Sequence, residues 1–402
     1  MYVTLLGTGA PAGLPRPGCP CAACARALGD EARAATSLLV DGVLLLDVTP
    51  GAALAAARAG QSLHGVRQVL LGHAQEDRGP ELPTELPAPV RLPDGRDLTL
   101  LSGHRVRAVP VDGPGTGYAV TGPDGGRLLY LPPGAAPARE NAPGGPPFDL
   151  CVLDVAARPD GLALLRETGA AGLTTDVVAV HLDHDVPPGQ ERRRRLAAAG
   201  ARAEPDGATL VAGDYQLVPD LPRRTLVLGG ARSGKSAEAE RRLAAFPGVE
   251  YVATGGRREG DAEWAERVAA HRGRRPPGWT TRETCDLVPL LAREDGPPLL
   301  IDCLALWLTD AMDAAGAWDG ERWSSGPARA ELAARTSALA AAVRATRRTL
   351  VAVSNETGSG VVPATPAGRR FRDELGRLNA AIAAECEQVL LTVAGTTLPL
   401  RA

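Results

Sequence analysis

No stretch of this 402-residue chain approaches the ~20 consecutive apolar residues that a membrane-spanning helix requires. The opening residues, MYVTLLGTGAP, lack a basic segment followed by a long apolar run, so no secretory leader is expected and the chain reads as cytoplasmic. Charge of one sign is missing too. There are 44 Lys and Arg against 47 Asp and Glu, a formal net charge of −3. That balance excludes the broad basic surface of a nucleic-acid binder, and no nucleic-acid or membrane partner is expected. Four consecutive arginines at 192–195 read as the solvated face of a helix. Seven cysteines, an odd number in a chain that reads as cytoplasmic, argue against a disulfide framework. Four of them (Cys151, Cys285, Cys303 and Cys386) are dispersed and read as small buried apolar residues.

Lysine is almost absent: Lys235 is the only one. Every other cationic position is arginine, a bias expected of the base composition of the gene. The exception lies in Gly229-Gly230-Ala231-Arg232-Ser233-Gly234-Lys235-Ser236. A loop that cradles phosphates needs a compact ammonium on a flexible stem, and a planar guanidinium does not fit beneath the β- and γ-phosphates. The surviving lysine therefore marks chemistry.

The segment Val218-Pro219-Asp220-Leu221-Pro222-Arg223 has two prolines and no periodicity, and reads as a linker between domains at 1–218 and 224–402. After it, apolar runs at 225–229, 249–253, 298–303, 349–353 and 388–393 alternate with helical patterns at 235–245, 261–273, 328–345 and 368–386. Such alternation predicts an α/β domain, a mostly parallel sheet with helices on both faces. The first domain is richer in strands, predicted near 3–7, 37–40, 43–47, 69–71, 127–130, 150–154 and 177–180. Asp41-Gly42 between two apolar runs signals a hairpin. The proline-rich stretches 80–93 and 132–147 read as loops.

The spacing Gly229-x4-Gly234-Lys235-Ser236 matches the Walker A pattern, between a predicted strand and a predicted helix. Backbone N–H groups of residues 229–236 and the helix start are expected to bind phosphates, with Ser236 as a Mg²⁺ ligand. Asp302 closes the apolar run Pro298-Leu299-Leu300-Ile301 and is the candidate Walker B carboxylate. His271 is the only histidine after residue 184. By itself it needs no explanation beyond a cation at a helix end.

The ordered set of segments changes that reading. Beyond the glycine loop stand Tyr251-Val252-Ala253-Thr254, then Arg267 to Trp279 with His271, Arg275 and Pro276, then Glu283 and Asp302-Cys303-Leu304-Ala305-Leu306-Trp307-Leu308. Val353-Ser354-Asn355-Glu356, Phe371-Arg372-Asp373, Gly376-Arg377-Leu378-Asn379 and Val393-Ala394-Gly395 follow. Over about 224–402 the chain resembles the bifunctional adenosylcobinamide kinase/adenosylcobinamide-phosphate guanylyltransferases of cobalamin biosynthesis. The resemblance implies a P-loop fold and two reactions. A nucleoside triphosphate, ATP or GTP with Mg²⁺, phosphorylates adenosylcobinamide. A histidine then takes GMP from GTP and passes it to the cobinamide phosphate. The matching histidine is His271; a neighbouring histidine of some members is Ala270 here. The resemblance adds Arg275 and Glu283 to the nucleotide-binding set and implies a homo-oligomer formed through this domain. Trp264 and Thr357 depart from common family residues at positions given no chemical role.

Residues 1–215 carry Leu5-Leu6-Gly7-Thr8-Gly9, a Cys-x-Cys-x-x-Cys cluster and Leu70-Leu71-Gly72-His73. These resemble the metallo-β-lactamase fold, an αββα sandwich, and within it the cyclic phosphodiesterases. The resemblance implies a dinuclear metal site built on His-x-His-x-Asp-His. This chain instead reads His73-Ala74-Gln75-Glu76-Asp77-Arg78. No histidine stands near Val111-Asp112-Gly113, and Pro132-Pro133 occupies the place of the bridging aspartate. His73, Asp77 and His181 are too few for two metals, so loss of hydrolase activity is expected. Cys19, Cys21 and Cys24 are three soft ligands suited to a structural Zn²⁺, and the resemblance implies His184 as the fourth. Other readings are three free thiols, an active phosphodiesterase, or a different small-molecule kinase carrying an N-terminal binding module.

Overall fold

A computed structural model describes residues 1–49, 51–73, 86–214, 221–255, 273 and 275–401. The chain divides into two compact units, Met1–Leu221 and Pro222–Ala402. Among the described residues, no helix is long and apolar enough to cross a membrane.

The first unit is built on alternation. Val3 and Leu5, Leu38 and Val40, and Leu44 and Leu46 point from one sheet into a core shared with Val106, Ala108, Tyr118, Val120, Leu128, Tyr130, Val152 and Val178 of a second sheet. Period-two patterning on both sheets produces this sandwich. One sheet has five strands. The strands Tyr2–Gly7, Ser37–Val40 and Leu44–Leu46 are antiparallel neighbours, flanked by Thr209–Val211 and Gln68–Leu70. The other has six strands, with Arg127–Tyr130, Leu150–Leu153 and Asp176–Ala179 running parallel at one side. The helix Ala52–Arg58 covers the outer face of the first sheet through Ala52 and Ala56, against Leu6, Leu39 and Leu45. The predicted hairpin forms at Asp41 and Gly42, both at positive φ. Within 132–147 a short strand, Ala136–Pro137, and a helical turn, Arg139–Asn141, interrupt the expected loop. Arg192 corrects the reading of the arginine run: it is buried in the helix Gln190–Ala198 rather than solvated.

The second unit is a seven-stranded sheet in the order Thr280–Glu283, Glu250–Ala253, Leu299–Asp302, Leu350–Asn355, Arg224–Gly229, Gln388–Val393, Thr396–Arg401. All neighbours are parallel except the last pair. The central strands are buried along most of their length and mainly apolar, as a sheet covered on both faces requires. Two edge strands escape the sequence reading. Thr280–Glu283 is exposed along its length, and Thr396–Arg401 is largely so; neither has the apolar run that flags a buried strand. The helix Leu304–Ala315 also escapes it, because its apolar residues merge with the preceding strand. The predicted helix at 261–273 lies, apart from residue 273, outside the described residues.

Candidate functional site

The glycine loop joins the central strand Arg224–Gly229 to the helix Lys235–Leu243. Gly229 has no room for a side chain: a Cβ there would lie 2.4 Å from Ser233 Oγ and 2.6 Å from Thr392 O. Gly234 sits at φ 97°, a conformation that only glycine adopts without strain. These two positions turn the backbone so that the helix begins at Lys235. Lys235 is buried, and its Nζ donates to Gly230 O at 3.1 Å, folding the ammonium back over the loop. Ser233 Oγ is buried without a hydrogen-bond partner, a hydroxyl suited to a phosphate oxygen. Gly230, Ala231 and Arg232 form the exposed rim. The loop is tied to the far edge of the sheet by Gly395 N donating to Ser233 O at 2.8 Å.

Asp302 ends the strand Leu299–Asp302, against which the helix Lys235–Leu243 packs. Its Oδ2 accepts from Tyr251 Oη at 2.7 Å. Burial and the Asp302 charge push the Tyr251 phenol far above its ordinary range, so it remains a donor. The Arg275 guanidinium carbon lies 3.3 Å from the centroid of the Tyr251 ring, and Arg275 Nη1 donates to Thr281 Oγ1 at 2.9 Å. Thr254 pins the chain after Asp302: its Oγ1 donates to Cys303 O at 2.7 Å and accepts from Cys303 N at 2.9 Å. Glu283 lies on the exposed edge strand and lines a cavity of about 460 Å³ with Thr254, Cys285, Asp310 and Asp313. The structure thus joins Asp302 to Arg275 through Tyr251, and places Glu283 beside Thr254. His271 and Trp264 lie outside the described residues. Tyr251 and Thr254 sat within a recognised segment without an assigned role; a hydroxyl at the carboxyl end of a parallel strand was the available signal.

In the first unit, Cys19, Cys21, Cys24 and His184 bring their ligand atoms within 4.8 Å of one another. His184 Nδ1 lies 3.3, 3.5 and 3.5 Å from the sulfurs of Cys19, Cys21 and Cys24. Tetrahedral zinc, with Zn–S near 2.3 Å and Zn–N near 2.0–2.1 Å, sets S···N at about 3.5 Å, so these residues fit that ion. Cys21 also caps the helix Ala22–Arg26. The hydrogen bond from Cys24 N lowers the Cys21 thiol to about 6, whereas burial pushes Cys24 up to about 11.

The place where the resemblance implies two metals is organised differently. Gln75, Asp77 and Arg78 lie outside the described residues. His73 Nδ1 pairs with Asp47 at 2.8 Å, and the fully buried Asp47 also accepts from Gly72 N at 2.6 Å and from Tyr130 Oη. Burial would raise the Asp47 carboxyl, but the bonds from His73, Tyr130 and Gly72 outweigh it and hold it below its ordinary range. The same bond to Asp47 raises His73. His181 bonds Leu131 O through Nε2 at 3.0 Å, and burial lowers it to about 4. Asp112 pairs with Arg158 at 2.7 Å. Among the described residues, no group of three or more metal-capable side chains forms here.

The family described as cobinamide kinase / cobinamide phosphate guanyltransferase matches residues 225–400. "Bifunctional adenosylcobalamin biosynthesis protein CobP" of Pseudomonas aeruginosa is 45% identical over 185 residues, which cover 44% of this chain and 97% of that protein. "Bifunctional adenosylcobalamin biosynthesis protein CobU" of Salmonella typhimurium is 36% identical over 174 residues, 42% of this chain and 95% of that one. Two solved structures are also similar. A diphosphatase from the PhnP family is 20% identical, covers 55% of this chain and 99% of its own, and has a TM-score of 0.40. Zn²⁺-bound PqqB from Methylobacterium extorquens is 18% identical, covers 52% and 100%, and has a TM-score of 0.39.

Proposed function

Through residues 225–400 the chain belongs to the cobinamide kinase / cobinamide phosphate guanyltransferase family, and we propose that it performs both reactions with its nucleotide phosphates seated on residues 229–236. The observation that carries this reading is the loop itself: Gly229 with no room for a side chain, Gly234 at positive φ, a folded-back Lys235, and a buried, unpartnered Ser233 hydroxyl. In the first reaction a nucleoside triphosphate phosphorylates adenosylcobinamide. Lys235 and the loop N–H groups hold the β- and γ-phosphates in line with the acceptor hydroxyl, where charge develops. Ser236 and Asp302 are the residues that would hold Mg²⁺, which neutralises phosphate charge when bound. In the second, His271 attacks the α-phosphorus of GTP, the P–O bond to pyrophosphate breaks, and GMP remains on the imidazole. The cobinamide phosphate then takes the GMP, and the histidine is freed as adenosylcobinamide-GDP forms. Arg275 and Glu283 are assigned to nucleotide binding. The deciding experiment is incubation with α-labelled GTP and mapping of the modified residue. Label on His271 is the expected result; stable label elsewhere removes that assignment, and none at all favours a plain kinase.

For the first unit we propose a structural zinc on Cys19, Cys21, Cys24 and His184, and no hydrolase activity. The support is that His73 pairs with Asp47, Asp47 also accepts from Tyr130, and His181 bonds the Leu131 carbonyl. Homo-oligomerisation through the second unit is supported by the exposed Val361, Val362, Leu398 and Leu400. Sedimentation of the full chain at several concentrations tests it.

A further inference from the structure

Tyr251 occupies the strand Glu250–Ala253, beside Leu299–Asp302. In that parallel register Tyr251 is opposite Leu300, and Ala253 is opposite Asp302. Residues 300 and 302 share a face of the sheet, so the phenol of Tyr251 runs along the strands towards their carboxyl edge and meets Asp302 from its own side. The ring is 3% exposed and belongs to the main core of the unit, while its hydroxyl reaches the carboxylate Oδ2 at 2.7 Å. Arg275 lies flat against the ring, 3.3 Å from its centroid, and its Nε is buried without a hydrogen-bond partner. The guanidinium is therefore held by the ring and by Thr281 Oγ1, and the ring is held between the core and the guanidinium. A buried phenol needs an acceptor, but a backbone carbonyl would serve. Here the acceptor is the one carboxylate that closes the strand neighbouring Leu350–Asn355, which in turn pairs with the strand of the phosphate loop.

We propose that Tyr251, locked by Arg275, is a positioning residue that fixes the rotation of the Asp302 carboxylate for the cation of the bound nucleotide. The inference rests on the reading of Asp302 as a metal-binding carboxylate. A carboxylate restrained through one oxygen presents its remaining lone pairs in one orientation, so less freedom is lost when the cation binds. Outer hydrogen bonds of this kind typically change metal affinity by 10–100-fold.

The test is Mn²⁺ binding to the full chain with a non-hydrolysable GTP analogue, read by electron paramagnetic resonance. Tyr251→Phe keeps the ring, its core packing and the Arg275 stack, and removes one hydroxyl. It is expected to weaken Mn²⁺ binding by about tenfold while analogue affinity measured in EDTA is unchanged. Asp302→Asn is expected to lose most Mn²⁺ binding. If Asp302→Asn does so and Tyr251→Phe stays within about twofold of wild type, with or without a lowered melting temperature, the positioning role is wrong and the bond is structural. If Asp302→Asn leaves Mn²⁺ binding intact, the metal reading of Asp302 fails first and the inference goes with it.

Discussion

The two units treat their buried polar residues in opposite ways. In the second, Ser233 Oγ is buried without a partner, and Lys235 is folded back over a loop in which Gly229 has no room for a side chain and Gly234 sits at positive φ. In the first, the residues at the implied dinuclear position satisfy each other. Asp47 takes bonds from His73, Gly72 and Tyr130, and His181 donates to a backbone carbonyl. The sandwich core, not these polar residues, holds the first unit together. Buried polar groups that hold no ligand find partners within the protein.

The largest test of this contrast is His271→Ala. It should lower formation of the GMP adduct by at least about a thousandfold while kinase activity persists, measured by label from α-labelled GTP and by a separate phosphorylation assay. Lys235→Arg comes next. Keeping the charge but losing the slender donor should cut kinase turnover about a hundredfold, or about 3 kcal/mol; turnover above a tenth of wild type would break the reading. In the first unit, the purified chain should hold about one Zn²⁺ by elemental analysis, and Cys21→Ser should lower that content and destabilise the unit by about 3 kcal/mol. Two or more metals, insensitive to Cys21→Ser, would mean that the dinuclear position is loaded. His73→Ala should leave zinc unchanged yet destabilise the unit by about 2 kcal/mol, since the buried Asp47 loses its cationic partner. All five tryptophans lie at or beyond residue 264, so fluorescence follows the second unit. Hydrogen exchange along Leu150–Leu153 reads the first.

The smallest effect is in pH. His73 is raised above its ordinary 6.5, so its contribution is complete below about 6.5 and is lost as pH rises through the raised value. His181 is lowered to about 4, so its neutral form supports folding above 6.5, and that support is lost as pH falls from 6.5 towards 4. These two groups together predict greatest stability of the first unit near pH 6.5, with a slope on either side of at most about 1.4 kcal/mol per pH unit. His73→Ala should abolish the decline on the alkaline side; an alkaline slope that persists in this variant would assign it to another group.

Local spacing sufficed wherever the chemistry lies within one turn of chain. The glycine loop was legible because strand, loop and helix are contiguous, and a single lysine among arginines marked it. Cys19, Cys21 and Cys24 were legible for the same reason. The helix Leu304–Ala315 and the edge strands were not: one has no break from the strand before it, and the others lack an apolar run. The partners of Asp47 and Asp302 were beyond the sequence altogether. Asp47 meets Tyr130 across 83 residues, and Tyr251 meets Asp302 across 51.

The sequence by itself determined the two-part organisation, the glycine loop of residues 229–236 between a strand and a helix, and the three-cysteine cluster. Those depend on residue identity and short-range spacing, which the covalent chain carries directly. Tertiary structure alone decided that Asp47 is bound by His73 and Tyr130, and that Tyr251 links Arg275 to Asp302. Each of these depends on strand register and sheet order, which bring distant residues to one edge through core burial rather than through any local signal.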